Sequence, residues 1–249
     1  MNSPFSNDPD PVFPVFDPAR VQAISLDLDD TLWPIWPTIA RAEAAMQAWL
    51  ELHAPATASL CAEPGVARAA RERMGRERPD FAHDLSALRR ETVRTLLSQA
   101  GDDPALAEAA FEVFFDERQR VELFEDALPA LDWLSARFPI VALSNGNADL
   151  RRVGLARHFH AAISAREFGV GKPDPRIFHA AAEAAGVPAR AVLHIGDDVH
   201  LDAVGALEAG MQAAWVNREA RPWSHERWRP QVILSDLRTL VAVLDGTGR

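Results

Sequence analysis

Four short stretches of this 249-residue chain each set polar side chains at the end of an apolar run. They are ISLDLDDTLWP (Ile24 to Pro34), VALSNGN (Val141 to Asn147), GVGKPDP (Gly169 to Pro175) and LHIGDDVHLD (Leu193 to Asp202). In the first, Asp27 and Asp29 stand two apart. Along an extended strand they share a face, and where the chain leaves the sheet the backbone can bring both carboxylates and a main-chain carbonyl towards one point. Such a pair can divide labour. An ionised carboxylate attacks phosphorus and holds a metal, while a second protonates the leaving oxygen and later takes a proton from water. Acids also cap turns, and the pair by itself leaves both readings open.

The other three stretches supply what a phosphoryl-transfer site needs. Ser144 and Asn145 follow a run of strand formers, where a hydroxyl and nearby backbone N–H groups can donate to a phosphate oxygen without adding charge. Read alone, SNGN is a turn. Lys172 precedes Pro173, which steers it away from helix, and Asp174 with Pro175 reads as the cap and first position of the next helix. A lysine positioned in this way can neutralise a nucleophilic carboxylate and stabilise a transferring phosphoryl group.

Asp197, Asp198 and Asp202 follow the apolar run Val192 to Ile195. Their hard oxygens suit octahedral Mg2+, and the lack of a Cys/His cluster argues against a zinc site. As an isolated segment these acids also read as helix caps. His194 and His200 flank the loop and read as hydrogen-bonded structural groups. Trp33, Trp36 and Trp49 read as packing residues within reach of an aromatic substrate.

The elements that must position these groups alternate in kind. Val21 to Leu26 has the unbroken apolar character of a buried parallel strand. No convincing strand follows for about ninety residues. Ile39, Met46, Trp49, Leu50 and His53 mark one helical stripe, Leu85, Leu88, Thr92, Leu96 and Leu97 a second, and Leu106, Ala110, Val113 and Phe114 a third, the last opened by Asp103 and Pro104. Gly, Pro and charge cluster over Glu63 to Asp80, so at least one loop is expected to interrupt the helices there. After Phe124, strands are expected at 140–143, 161–164, 192–195, 213–216 and 232–234. Helices are expected at 127–137, 149–156, 175–185, 201–209 and 236–244. That alternation predicts an α/β fold with a parallel sheet covered on both faces. Met1 to Pro18 is rich in proline and reads as an extended arm, with Phe13, Val15 and Phe16 able to dock on the body.

Bulk properties narrow the partners. A composition that is 48% hydrophobic fills one sizeable core and a smaller second one. The net charge of -10 disfavours nucleic acid and anionic membranes, which are held through surplus Lys and Arg. The single cysteine, Cys61, cannot form an intrachain disulfide. With no apolar run of bilayer length and no signal-like start, a cytoplasmic location is expected.

In order and chemistry the four stretches resemble the motifs of the haloacid dehalogenase (HAD) superfamily, and the resemblance covers nearly the whole chain after Val21. It implies a Rossmann-like parallel sheet formed by 20–35 and 125–249, an all-helical cap over 36–124, and an arm over 1–19. It implies Asp27 as nucleophile, Asp29 as acid and base, Lys172 as charge neutraliser, and Ser144 and Asn145 as phosphate contacts. Asp27, Asp197 and the Asp29 carbonyl would hold Mg2+, with Asp198 and Asp202 outside them. The implied activity is hydrolysis of a small phosphorylated metabolite through an aspartyl-phosphate. DDTLW, SNGNA, LHIGDD and GALEAGMQAAWV look like the bacterial branch acting on FMN and the phosphorylated riboflavin precursor. The alternatives are a noncatalytic phospho-ligand sensor, a phosphomutase or a dehalogenase; family dehalogenases generally lack an acid matching Asp29. Monomer and homodimer are both compatible with this reading.

Overall fold

The computed structural model describes residues 15–246. Its centre is a six-stranded parallel sheet in the order β3-β2-β1-β4-β5-β6. The strands are β1 (Ala23–Leu26), β2 (Ile140–Ser144), β3 (Ala161–Ser164), β4 (Val192–Gly196), β5 (Gln212–Val216) and β6 (Val232–Leu234). Every residue of β1, β2, β4 and β5 is buried, because alternate side chains meet helices on opposite faces. On one face Ile24, Leu26, Ala142 and Ile195 pack with Leu131 and Leu134 of α6 (Ala127–Ser135) and Leu237 and Leu240 of α11 (Leu237–Leu244). On the other, Ala23, Val141, Leu143 and Val192 meet Ile177, Phe178 and Ala181 of α9 (Pro175–Ala184). Asp174 caps α9 by accepting from the Arg176 N–H at 2.9 Å, and Pro175 fills its first turn, as expected.

Between β1 and α6 lie five α-helices: α1 (Ile35–His53), α2 (Pro55–Ala62), α3 (Val66–Glu77), α4 (Leu85–Ala100) and α5 (Ala107–Arg118). They pack on two small cores of their own, Leu50 with Val93 and Leu97, and Ala42 with Phe111 and Phe114. The interruption expected within 63–80 falls at its two ends, a turn over 63–65 and a break at Arg78 before a 3-10 turn (Pro79–Phe81), with helix α3 between them. Gly65, left-handed at φ 81, opens the helix, and Ala70 and Met74, four apart, face inward. The charge there is the helix's wet face, laced by Arg68–Glu72 and Arg73–Glu77 pairs. Asp103 caps a short 3-10 turn before α5 rather than α5 itself.

Both chain crossings to this helical insert are tied down by Arg218. It donates to the Thr31 carbonyl at 2.9 Å and to both oxygens of Asp126, and its guanidinium lies over the Phe124 ring. In the first crossing Asp30 takes the left-handed conformation (φ 58) and accepts from the Ile35 N–H at 2.8 Å. A short polar side chain tolerates that geometry by bonding locally.

Elsewhere the helices differ from expectation at their ends. The one expected at 149–156 is only α7 (Leu150–Val153), capped by Asp149 and stopped by left-handed Gly154. The one expected at 201–209 begins earlier as a π-helical turn (Val199–Val204) that runs into α10 (Gly205–Glu208). After β3 a single helical turn, α8 (Ala165–Phe168), leads to the lysine loop. Of the arm, Phe13 lies outside the described residues, Phe16 packs on the core, and Val15 is 88% exposed rather than docked.

Candidate active site

Because β1 and β4 are hydrogen-bonded neighbours, the residues that follow them leave the sheet at the same carboxyl edge. Asp27 follows Leu26, Asp197 follows Gly196, Ser144 ends β2, and Lys172 lies on the loop between α8 and α9. Ligand sites of parallel sheets gather in such a crevice. Here carboxylate oxygens of Asp27, Asp197 and Asp202 lie within 4.8 Å of one another. The buried Lys172 ammonium donates to Asp27 Oδ1 at 2.5 Å and to Asp202 Oδ1 at 2.6 Å.

Each group is held by specific neighbours. Thr31 Oγ1, four residues on, donates to Asp27 Oδ2 at 3.2 Å. Both ends of the Asn145 amide are committed to the Lys172 main chain, Oδ1 accepting from its N–H at 2.8 Å and Nδ2 donating to its carbonyl at 2.9 Å. Asn145 therefore fixes the lysine loop rather than reaching towards a ligand. Ser144 Oγ accepts from the Gly146 N–H at 2.9 Å, and its own O–H remains free to donate.

The acids of the fourth stretch separate by partner. Asp198 accepts from the His200 and Leu201 N–H groups and so caps the π-helical turn. Asp202 accepts from Lys172, from the Asp198 N–H at 3.0 Å and from His194 Nε2 at 3.1 Å. An ionised carboxylate only accepts, so His194 carries its proton on Nε2 and its Nδ1 accepts from Ser25 Oγ. His194 is thus a buried strut, as its sequence position suggested. The Asp197 carboxylate accepts no hydrogen bond among the described residues, and its ion partner there, Arg221, stands at 4.0 Å. The Asp197 carbonyl accepts from the Trp215 indole at 2.7 Å, which fixes the loop. Gly196 is obligatory in the same corner, since a Cβ there would collide with the Asp202 carboxylate.

The electrostatics show a shortage of positive charge. Burial pushes Asp197 up to about 8, with Asp27 and Asp202 adding repulsion. Burial also pushes Asp27 up to about 7 against the pull of Lys172. Burial opposes the charge on Asp202 too, yet Lys172 and His194 hold it well below the usual carboxylate range. One ammonium therefore bridges two of the three acids while Asp197 has only a guanidinium at 4.0 Å, and Asp27 and Asp197 resist ionisation. Hard oxygen donors lacking a countercharge fit a hard divalent cation.

Sequence reasoning missed the environment of Asp29. Its carboxylate is held by Arg118, whose Nη2 donates to Oδ1 at 2.7 Å and to Oδ2 at 2.8 Å, and by the buried Trp33 indole, which donates to Oδ1 at 2.8 Å. Arg118 is 1% exposed and is the last residue of α5. A signal was present: it continues the buried stripe Ala107, Ala110, Phe111 and Phe114 at i+4, where an apolar residue belongs. Gly146 closes against the pair, for a Cβ there would strike Asp29 Oδ2. Beside Ser144, Gly146 and Asn147 opens a cavity of about 590 Å³; another of about 410 Å³ lies within the helical insert, away from the acids.

Residues 21–210 match the family model of the haloacid dehalogenase-like hydrolases. The chain belongs to that family. Among curated HAD relatives, the 5-amino-6-(5-phospho-D-ribitylamino)uracil phosphatase YigB of Escherichia coli K12 is 30% identical over 90% of this chain and 97% of its own. A phosphoserine phosphatase of Thermus thermophilus is 38% identical over 60% of this chain and 62% of its own. Among solved structures, one described as a 2-haloacid dehalogenase from Pseudomonas syringae pv. tomato DC3000 is 39% identical, superposes with a TM-score of 0.83, and covers 91% of this chain and 99% of its own. The chain is accordingly a HAD-family hydrolase with phosphatase relatives, on the α/β fold its motifs implied. Among the described residues no helix is long and apolar enough to cross a membrane.

Proposed function

We propose that this chain is a Mg2+-dependent phosphatase of small phosphate monoesters that works through an aspartyl-phosphate on Asp27. The observation that carries the reading is the lysine bridge: Lys172 joins Asp27 to Asp202 inside a three-carboxylate cluster. An ester phosphate brings negative charge to a centre already short of positive charge, and an added cation relieves the repulsion while leaving Asp27 ionised for attack. Asp27 and Asp197, with the Asp29 carbonyl, would hold Mg2+, which when bound offsets that repulsion and polarises the phosphoryl oxygens. Asp197 suits this role because its carboxylate accepts no hydrogen bond among the described residues and has Arg221 only at 4.0 Å, whereas Asp202 is occupied with Lys172, His194 and Asp198.

The chain's own residues account for the two chemical steps. Asp27 attacks phosphorus as Asp29 gives its proton to the departing oxygen, so that the Asp27–phosphorus bond forms and the ester bond breaks. Asp29 then takes a proton from the water that attacks the same phosphorus, and inorganic phosphate leaves. Lys172 meets the charge on the transferring group, and the Ser144 hydroxyl and its loop amides receive a phosphoryl oxygen. The helical insert serves as the cap, closing over the leaving group and excluding bulk water.

For substrate, the 5-amino-6-(5-phospho-D-ribitylamino)uracil phosphatase among the relatives supports a phosphorylated riboflavin precursor, the motif resemblance adds FMN, and the compartment proposed is the cytoplasm. A dehalogenase reading is suggested by the solved relative. Departing halide, however, needs no proton and a carbon centre needs no cation, so a second acid and an oxygen-donor cluster favour the phosphatase. The test is phosphate release from p-nitrophenyl phosphate with and without Mg2+, followed by a panel of FMN, phosphorylated riboflavin precursor, phosphoserine and sugar phosphates. Halide release from a 2-haloacid without phosphatase activity would overturn the proposal.

A further inference from the structure

Asp27, Lys172, Asp197 and Asp202 all stand on the sheet or its loops, but the Asp29 carboxyl is held from the helical insert. Arg118 ends α5 and takes both Asp29 oxygens, while its Nε donates to Asn147 Oδ1 at 3.2 Å. Asn147 in turn donates to Ser86 Oγ in the first turn of α4 at 3.1 Å. Next along the chain, Gln119 accepts from the Asp149 N–H at 2.7 Å. The loop after β2 is thereby stitched to the ends of two insert helices, with Arg118 at the centre. Arg118 Nη1 is buried without a partner among the described residues.

We propose that Arg118 is the positioning residue of Asp29: it aims the acid's carboxyl and makes that aim depend on where the helical insert sits. The inference rests on the reading of Asp29 as acid and base given above. As the Asp29 proton passes to the leaving oxygen and the ester bond breaks, the carboxylate left behind is received by Arg118 Nη2, which lies within hydrogen-bond reach of both its oxygens. Held there, it next takes a proton from the attacking water. Arg118 acts through Asp29, without touching the reacting atoms.

The experiment compares kcat/KM for two esters, an alkyl phosphate whose leaving alcohol must be protonated and dinitrophenyl phosphate whose leaving phenolate need not be. Wild type, Asp29→Asn, Arg118→Met, Arg118→Lys and the Asp29→Asn/Arg118→Met double variant are assayed, with folding checked by circular dichroism. Arg118→Met should lose about 10²-fold on the alkyl ester and only about threefold on dinitrophenyl phosphate, in line with the usual size of general-acid catalysis. Arg118→Lys, which keeps the charge but loses the Nε tie to Asn147 that aims it, should show the same selective loss at about tenfold, and it carries the test if the Met variant does not fold. The double variant should be no slower than Asp29→Asn on the alkyl ester. Equal losses on both esters, or additive losses in the double variant, overturn the positioning role while a selective Asp29→Asn leaves the acid assignment standing. Asp29→Asn losing equally on both esters instead sinks that assignment, and the inference with it.

Discussion

Lys172 Nζ stands 2.5 Å from Asp27 Oδ1 and 2.6 Å from Asp202 Oδ1, so one buried ammonium links the carboxyl edges of the two central strands. It is the positive charge that the nucleophile position shares with its supporting acid, and Asp197 is left without an equivalent.

Asp27→Asn keeps the shape of the side chain but removes the nucleophile. Phosphate release should fall by at least about 10³-fold, with fold and Mg2+-dependent ligand binding retained. Near-normal turnover by a folded Asn variant would be incompatible with an aspartyl-phosphate.

Lys172→Ala should depress all phosphate esters together, by about 10²-fold or more, because it removes charge aimed at the shared phosphoryl group. It should also destabilise the metal-free protein by about 3 kcal/mol, since Asp27 and Asp202 lose their buried partner. Trp36, on α1 and 74% exposed, should behave oppositely, its Ala variant re-ranking substrates without loss of stability. Parallel kcat/KM values and thermal unfolding distinguish the two. A lysine variant that re-ranks esters would break this division of labour.

Between about pH 6.5 and 8 the metal-free protein should lose stability as pH rises. Asp27 and Asp197, held up near 7 and 8 by burial, stay protonated in the folded state while their unfolded counterparts near 4 are already ionised. Folded protein thus binds more protons, so their stabilising contribution disappears as pH passes through the folded values. Burial lowers His194, and its opposite contribution falls below this window. Added Mg2+, which requires the ionised acids, should raise Tm more at pH 8 than at pH 6.5. A Mg2+ shift that is flat or shrinks with pH would count against Asp27 and Asp197 as its ligands.

Gly196→Ala places a Cβ against the Asp202 carboxylate. Displacing Asp202 disturbs Lys172 and His194 together, so stability should fall by about 1–3 kcal/mol and phosphatase activity should drop with it. Unchanged Tm and turnover would show that the corner has slack the contacts do not suggest.

The sequence alone determined the order of the core elements and the chemical inventory of the site. Strands β3 and β6 fall on the expected residues, and β2, β4 and β5 differ by one, because unbroken apolar runs bounded by acids or turn residues admit little else. The four stretches carrying Asp27, Ser144, Lys172 and Asp197 were likewise legible, since each pairs a strand or helix boundary with residues such boundaries seldom collect at random. Local charge was a poorer guide: it announced an interruption within 63–80 without showing that helix α3 (Val66–Glu77) lies between two breaks, because a wet helix face and a loop share a composition.

Tertiary structure decided which neighbours each side chain faces. That Asn145 secures the Lys172 backbone, that Asp198 caps a turn while Asp202 joins Lys172, and that Arg118 reaches Asp29 across 89 positions are facts of packing between distant segments. Spacing along a chain fixes what lies on one face of one element. Which acid keeps its charge depends on burial and on partners brought from other elements, and those exist only once the sheet has ordered β1 beside β4 and the insert has closed on its loops.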